Sequence, residues 1–211
     1  MKKLILVTSA IVCFTFFSCD SPARFDQPQP DGEPILSSIP FQLKGSYASS
    51  DSTYFLLIND FSIVRKYHNL IRFNIDSLDK NLIIKGNTVE DTLNRQSYYY
   101  QRMGDSIIIR DEFMDTLFLF DQDHVLKRYK GYYFVNRKDE NAGWELFQLN
   151  AKRNSIEMST VANTQHLDSL QEPSSDTGPD HHKIYHLEKK QFKHFLRHDG
   201  FGNTSTFYRI Q

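Results

Sequence analysis

No proline occurs between residues 41 and 172. Proline removes a backbone donor and is confined to sheet edges, bulges and turns. So long a stretch without it suits the interior of a β-sheet. The residues inside it agree. Tyr54 to Ile58 is a continuous apolar run of strand length, and Ile71, Phe73 and Ile75 alternate with Arg72 and Asn74, which is the period of a strand. Leu82 to Ile84, Ile107 to Ile109, Thr116 to Phe120, Val125 to Val135, Trp144 to Leu149, Ile156 to Met158, Ile184 to Leu187 and Thr206 to Ile210 continue the series. Strands at roughly ten-residue spacing predict antiparallel sheets in a meander, barrel or sandwich. One or two short helices are expected within this mainly β chain. Phe192, Phe195 and Leu196 share a helical face over Glu188 to His198, with Asp199-Gly200 as the stop, Gly being free to turn left-handed. Thr164 to Leu170 is the second candidate.

The seven prolines flank this run. Pro22, Pro28, Pro30, Pro34 and Pro40 precede it, and Pro173 and Pro179 follow in a polar stretch that reads as a surface loop. Ahead of the first group, Lys2 and Lys3 lead into an apolar run from Leu4 to Phe17. Such a run is too short to span a hydrocarbon core of about 30 Å as a helix, but it has the length of a signal peptide. Ser18-Cys19 then resembles the lipobox of bacterial lipoproteins, with Phe16 standing where Leu is usual. The resemblance implies cleavage before Cys19 and a diacylglycerol on its sulfur. It also implies a division into a signal peptide (1–18), a lipidated cysteine with a proline-rich tether (19–40) and a β-rich globular domain (41–211). Two or more acyl chains give stable membrane anchoring. Cys13 would leave with the signal peptide, so no free thiol would remain for nucleophilic, redox or metal chemistry.

Lys plus Arg number 25 and Asp plus Glu 26. A general nucleic-acid binder needs a cationic excess to neutralise phosphates, so that class is excluded. Five of the eight histidines lie between 181 and 198. His194 and His198 have the i, i+4 spacing of a metal pair. On the expected helix, however, they face solvent beside Lys190 and Arg197, and no HExxH accompanies them. They are weak candidates only, and neither metal nor cofactor is expected. Asp115, Asp121 and Asp123 lack the Gly and Glu of a calcium loop and read better as turn residues. GxSxG, SxxK and Walker patterns are absent, and no enzyme activity is expected. Gly45-Ser46-Tyr47 resembles the G-x-W opening of lipocalins with Tyr in place of Trp, which would imply a barrel around a small apolar ligand. Tyr98-Tyr99-Tyr100 and Tyr132-Tyr133 should each expose at least one ring, because neighbours on a strand face opposite ways.

Asp followed by Ser or Thr and then Thr, Leu or Ile occurs six times, with the hydroxyls on Ser52, Ser77, Thr92, Ser106, Thr116 and Ser169. The tripeptide resembles the O-glycosylation acceptor of exported proteins of the Bacteroidota. Turn chemistry, with Asp and Ser capping before a strand, explains it as well. Signal, lipobox, proline-rich segment and β-rich domain together resemble the β-rich envelope lipoproteins of that phylum. The resemblance implies a non-catalytic binding or scaffolding module in the cell envelope. Its membrane would be the outer more than the inner, and its partner an envelope protein or a small ligand. A lipocalin-like carrier is the alternative.

Overall fold

The computed structural model describes residues 23–139, 143–171, 174–175 and 183–210. The strands are β1 (Arg24–Phe25), β2 (Gly45–Ser49), β3 (Tyr54–Ile58), β4 (Ser62–Asn74), β5 (Leu82–Lys85), β6 (Thr88–Asp91), β7 (Gln96–Met103), β8 (Ser106–Leu119), β9 (His124–Tyr129), β10 (Tyr132–Asp139), β11 (Gly143–Ala151) and β12 (Ser155–Val161). Helix α1 (Thr164–Leu170), β13 (Ser174–Ser175), β14 (Lys183–Tyr185), α2 (Lys189–Arg197) and β15 (Phe201–Ile210) complete the chain. The protein is mainly β, with one of its helices near the C-terminus.

Nine strands form an antiparallel sheet in the order β9-β10-β11-β12-β15-β2-β3-β4-β8. This sheet curls into a half-barrel. Its concave face is filled, not hollow. Tyr47, Leu56, Phe118, Tyr133, Phe147 and Phe207 are among sixteen buried side chains that form one apolar cluster there. The opposite face of β10 and β11 carries a second cluster, in which Phe134 and Leu146 meet Phe25, Tyr185, Phe192 and Phe195. Fully burying each such ring stabilises by about 1.5–3 kcal/mol.

Where the sequence suggests two separate strands near Ile107 and Thr116, there is one strand, β8, of 14 residues, paired along its length with the 13-residue β4. Polar residues interrupt the apolar alternation there: Glu112 is exposed, and Asp115 is engaged by Arg65 and Arg137. The distal halves of β4 and β8 run past the end of β3 and, with β5, β6 and β7, make an arm. The arm has its own small core of Val89, Ile107 and Ile109, with Phe73, Ile84, Tyr98 and Tyr100 packed on it.

Residues 23–40 differ from the sequence expectation: they are not a tether but part of the folded unit. Phe25, Ile39 and Leu43 are fully buried. The Gln29 amide donates to Asn136 Oδ1 at 2.6 Å, and Asn136 Nδ2 returns a bond to the Gln29 carbonyl at 2.8 Å. Lys127 Nζ donates to the carbonyls of Pro28 and Pro30 at 2.8 and 2.9 Å. Ile35 bridges to Lys127, and the Leu36 amide donates to the Leu126 carbonyl, which covers the free edge of β9. Prolines lower the entropy of the unfolded segment, and the apolar residues between them supply the burial that holds it down. What composition suggests is a spacer is therefore a strap.

Both helices lie where the sequence places them. The left-handed residue ending α2 is Asp199 at φ 51°, not Gly200. Gly200 is needed for another reason: a Cβ there would press into the ring of Phe195.

Replacing Asn136 by Ala leaves the Gln29 amide and carbonyl buried without partners, at a cost of about 1–3 kcal/mol. Chemical denaturation should show this loss, and limited proteolysis should cut within residues 26–36 of the variant but not of the wild type.

Candidate functional site

The half-barrel closes without a ladder. β8 and β9 are consecutive in the chain, yet β9 pairs only with β10. The seam between them is bridged by charge. Arg137, on the inward face of β10, donates to Asp115 Oδ1 at 2.6 Å and to the Thr116 carbonyl at 3.0 Å on β8. Its other side meets Glu145 Oε2 at 2.5 and 3.0 Å. Arg65 Nη2 reaches Asp115 Oδ2 at 2.7 Å, and Arg24 Nη1 lies 3.9 Å from Glu145. Asp115 and Glu145 are each shared between two arginines, and all five side chains are 10–29% exposed. Burial pushes the Asp115 carboxyl up, but hydrogen bonds and charge from Arg137 and Arg65 outweigh it, so it titrates below the usual range. Arg137 is drawn down by burial and raised further by Glu145 and Asp115.

Beside this chain of charges is a recess of about 250 Å³ between β15 and the base of the arm, lined by Tyr54, Arg65, Tyr67, Met158, Ser205 and Phe207. On the outer face of the arm, Leu70 and Tyr99 are 67% and 79% exposed. Register puts Leu70 opposite Arg110 and Arg72 opposite Ile108 on that face. Tyr98 and Tyr100 turn the other way into the arm's core. The first tyrosine run thus exposes a ring as expected. In the second, Tyr133 is buried and Tyr132 packs toward Phe134, so neither stands free.

The remaining sequence candidates are placed as follows. Cys19, His181 and His182 lie outside the described residues. His194 and His198 are exposed on α2, and His166 on α1 joins them, its Nε2 3.2 Å from His194 Nδ1. His166 was not a sequence candidate, because only the packing of α1 against α2 brings it near. The ring of His166 stacks on that of His198. Burial, then the two neighbouring imidazoles, keep His166 below its ordinary value. Among the described residues no group of three side chains is arranged to hold a metal ion. Asp121 Oδ1 accepts from the Asp123 amide at 2.9 Å and contacts His124 at 2.7 Å, which is turn chemistry.

Ser52, Ser77, Thr92 and Ser169 are exposed, while Ser106 and Thr116 are half-buried within β8. Asp51 and Asp91 cap their turns by accepting from the amides of Thr53 and of Leu93 and Asn94. Asp115 and Asp168 instead serve ion pairs, the latter with Lys183. In Gly45-Ser46-Tyr47, the buried Tyr47 hydroxyl donates to the Leu43 carbonyl at 2.9 Å, and the Arg209 guanidinium covers the ring at 4.7 Å. Gly45 sits at φ 146°, a backbone conformation that L side chains rarely adopt, and the Arg209 guanidinium lies against it. No described helix is long and apolar enough to cross a membrane.

Comparison with known proteins found no matching family model, no matching curated protein and no matching solved structure.

The seam should make stability acid-sensitive. Because the folded pKa of Asp115 is depressed, its contribution is complete above the unfolded value of about 3.9 and is lost as pH falls through the folded value. Asp115→Asn should therefore lose about 1–3 kcal/mol at neutral pH and show a shallower decline below pH about 4, as read by urea denaturation across pH.

Proposed function

We propose that the chain is a lipid-anchored, non-catalytic binding module of a bacterial cell envelope, and that the outer face of its arm is the contact surface. The anchor rests on the lipobox-like Ser18-Cys19 and its preceding apolar run. The observation that carries the binding reading is the arm. It presents exposed Leu70 and Tyr99 on a frame of five strands, with exposed Arg72 and Arg110 beside them. Aromatic and aliphatic groups ringed by arginine are the composition of interface hot spots. The arm is also costly to keep for stability alone, since its outer face buries little. The carrier alternative needs an apolar cavity of roughly several hundred Å³. The concave face of the half-barrel is instead occupied by Tyr47, Phe118, Tyr133, Phe147 and Phe207, which favours the partner-binding reading.

The acceptor tripeptides fit this envelope setting. Ser52, Ser77, Thr92 and Ser169 offer hydroxyls at the surface, whereas Ser106 and Thr116 lie within a paired strand.

Intact mass of the chain isolated from its native host should equal residues 19–211 plus acyl groups, with any glycan mass removed by changing the four exposed sites together. A mass matching the full unprocessed polypeptide would refute the anchor. For the arm, photo-crosslinkers at positions 70 and 99 in native envelopes should capture one discrete partner that a crosslinker at Arg153 does not. The Leu70→Asp/Tyr99→Ser variant should lose that partner at unchanged melting temperature. Equal capture from all three positions would count against the arm.

A further inference from the structure

We infer that the recess between β15 and the base of the arm is a binding site for a small monocarboxylate with a short apolar or aromatic body. The inference is separate from the arm's outer face and does not depend on it.

The recess follows from unequal strand lengths. β2 and β3 have five residues each and turn back at Ser49 and Tyr54. β15 extends beyond Phe207, the partner of Ser49, back to Phe201. β4 likewise extends beyond Tyr67, the partner of Tyr54. Above the hairpin end, two long strands face each other with no strand between them. The space left is about 250 Å³.

Its chemistry is divided. The floor is Met158 and Phe207, both buried. One wall is the edge-to-face pair Tyr54 and Tyr67, with ring centroids 5.1 Å apart. Arg65 and Ser205 supply the polar lining. Arg65 is held rather than free: Nη2 donates to Asp115, and the guanidinium sits 5.0 Å from the Tyr67 centroid. Yet its Nε is buried and has no partner. Buried donors are normally satisfied, and this unmatched one belongs to a side chain that lines the recess. A planar carboxylate is the acceptor that the guanidinium fork matches.

The charges set the valence. The connected groups are Arg24, Arg65 and Arg137 against Asp115 and Glu145. Among the described residues one positive charge is left over, which suits a monoanion and disfavours a dianion such as a phosphate monoester. The volume is small for a ligand site and suits an acid of roughly ten non-hydrogen atoms.

The test uses the full-length chain in detergent micelles, with empty micelles as the reference. Hexanoate and phenylacetate are titrated by ligand-observed NMR beside hexanamide and phenylacetamide. Each acid should bind at least about tenfold more tightly than its amide and should shift the ring resonances of Tyr54 and Tyr67. Arg65→Gln should bring the acid down to the level of the amide. Ser205→Phe, which fills the recess and leaves the ion chain untouched, should abolish binding of both. Leu70→Asp on the arm should change nothing. Acid and amide binding equally, neither binding, or acid binding that survives Ser205→Phe would overturn the inference. Should Arg65→Gln fail to fold, Ser205→Phe decides alone.

Discussion

The structure turns on a sheet that must close but cannot do so through its backbone. β8 and β9 meet at the seam of the half-barrel with no ladder between them. Arg137 spans the gap, with Asp115 on one side and Glu145 on the other. A guanidinium suits the task because its planar fork satisfies two partners at once and never loses its charge. The cost is desolvation of five charged groups, tolerable only because each carboxylate is shared and the hydrogen bonds are short. With the seam held, the concave face becomes an enclosed apolar volume, and the filled core follows.

The free edge of β9 poses a second problem. An open edge invites pairing with another chain. Here the N-terminal strap covers it through Ile35 and Leu36, and Lys127 and Asn136 secure the strap by bonding to its carbonyls and amide. Burial lowers the Lys127 pKa, while the nearby Asp31 and Glu33 pull the other way. The strap begins at β1, which β11 and β14 flank.

The two long strands decide the rest. Because β4 and β8 outrun the β2–β3 hairpin, they create an arm with an exposed face and, at its root, a recess that an ordinary meander would lack. Both candidate surfaces thus arise from one mismatch of strand length. The arm stays folded apart from the main core because β5 and β6 curl over Ile107 and Ile109 and give it a core of its own.

Sequence alone determined the β character, both helices, the solvent-facing positions of His194 and His198 and the turn role of Asp121. All of these depend on local periodicity or on bonds within a few residues. The signal-like leader and Ser18-Cys19 are equally local. Tertiary structure decided everything that joins distant segments. Arg65, Arg137 and Glu145 carry no motif, being single polar residues on separate strands, and the tripeptide that Asp115 opens gives no sign of an ion pair. His166 becomes a neighbour of His194 only when α1 packs on α2. The strap reads as a tether in the sequence because proline content reports the stiffness of a segment and not whether a surface awaits it. That surface, the edge of β9 with Lys127 and Asn136 beneath it, exists only after residues about a hundred positions later have folded.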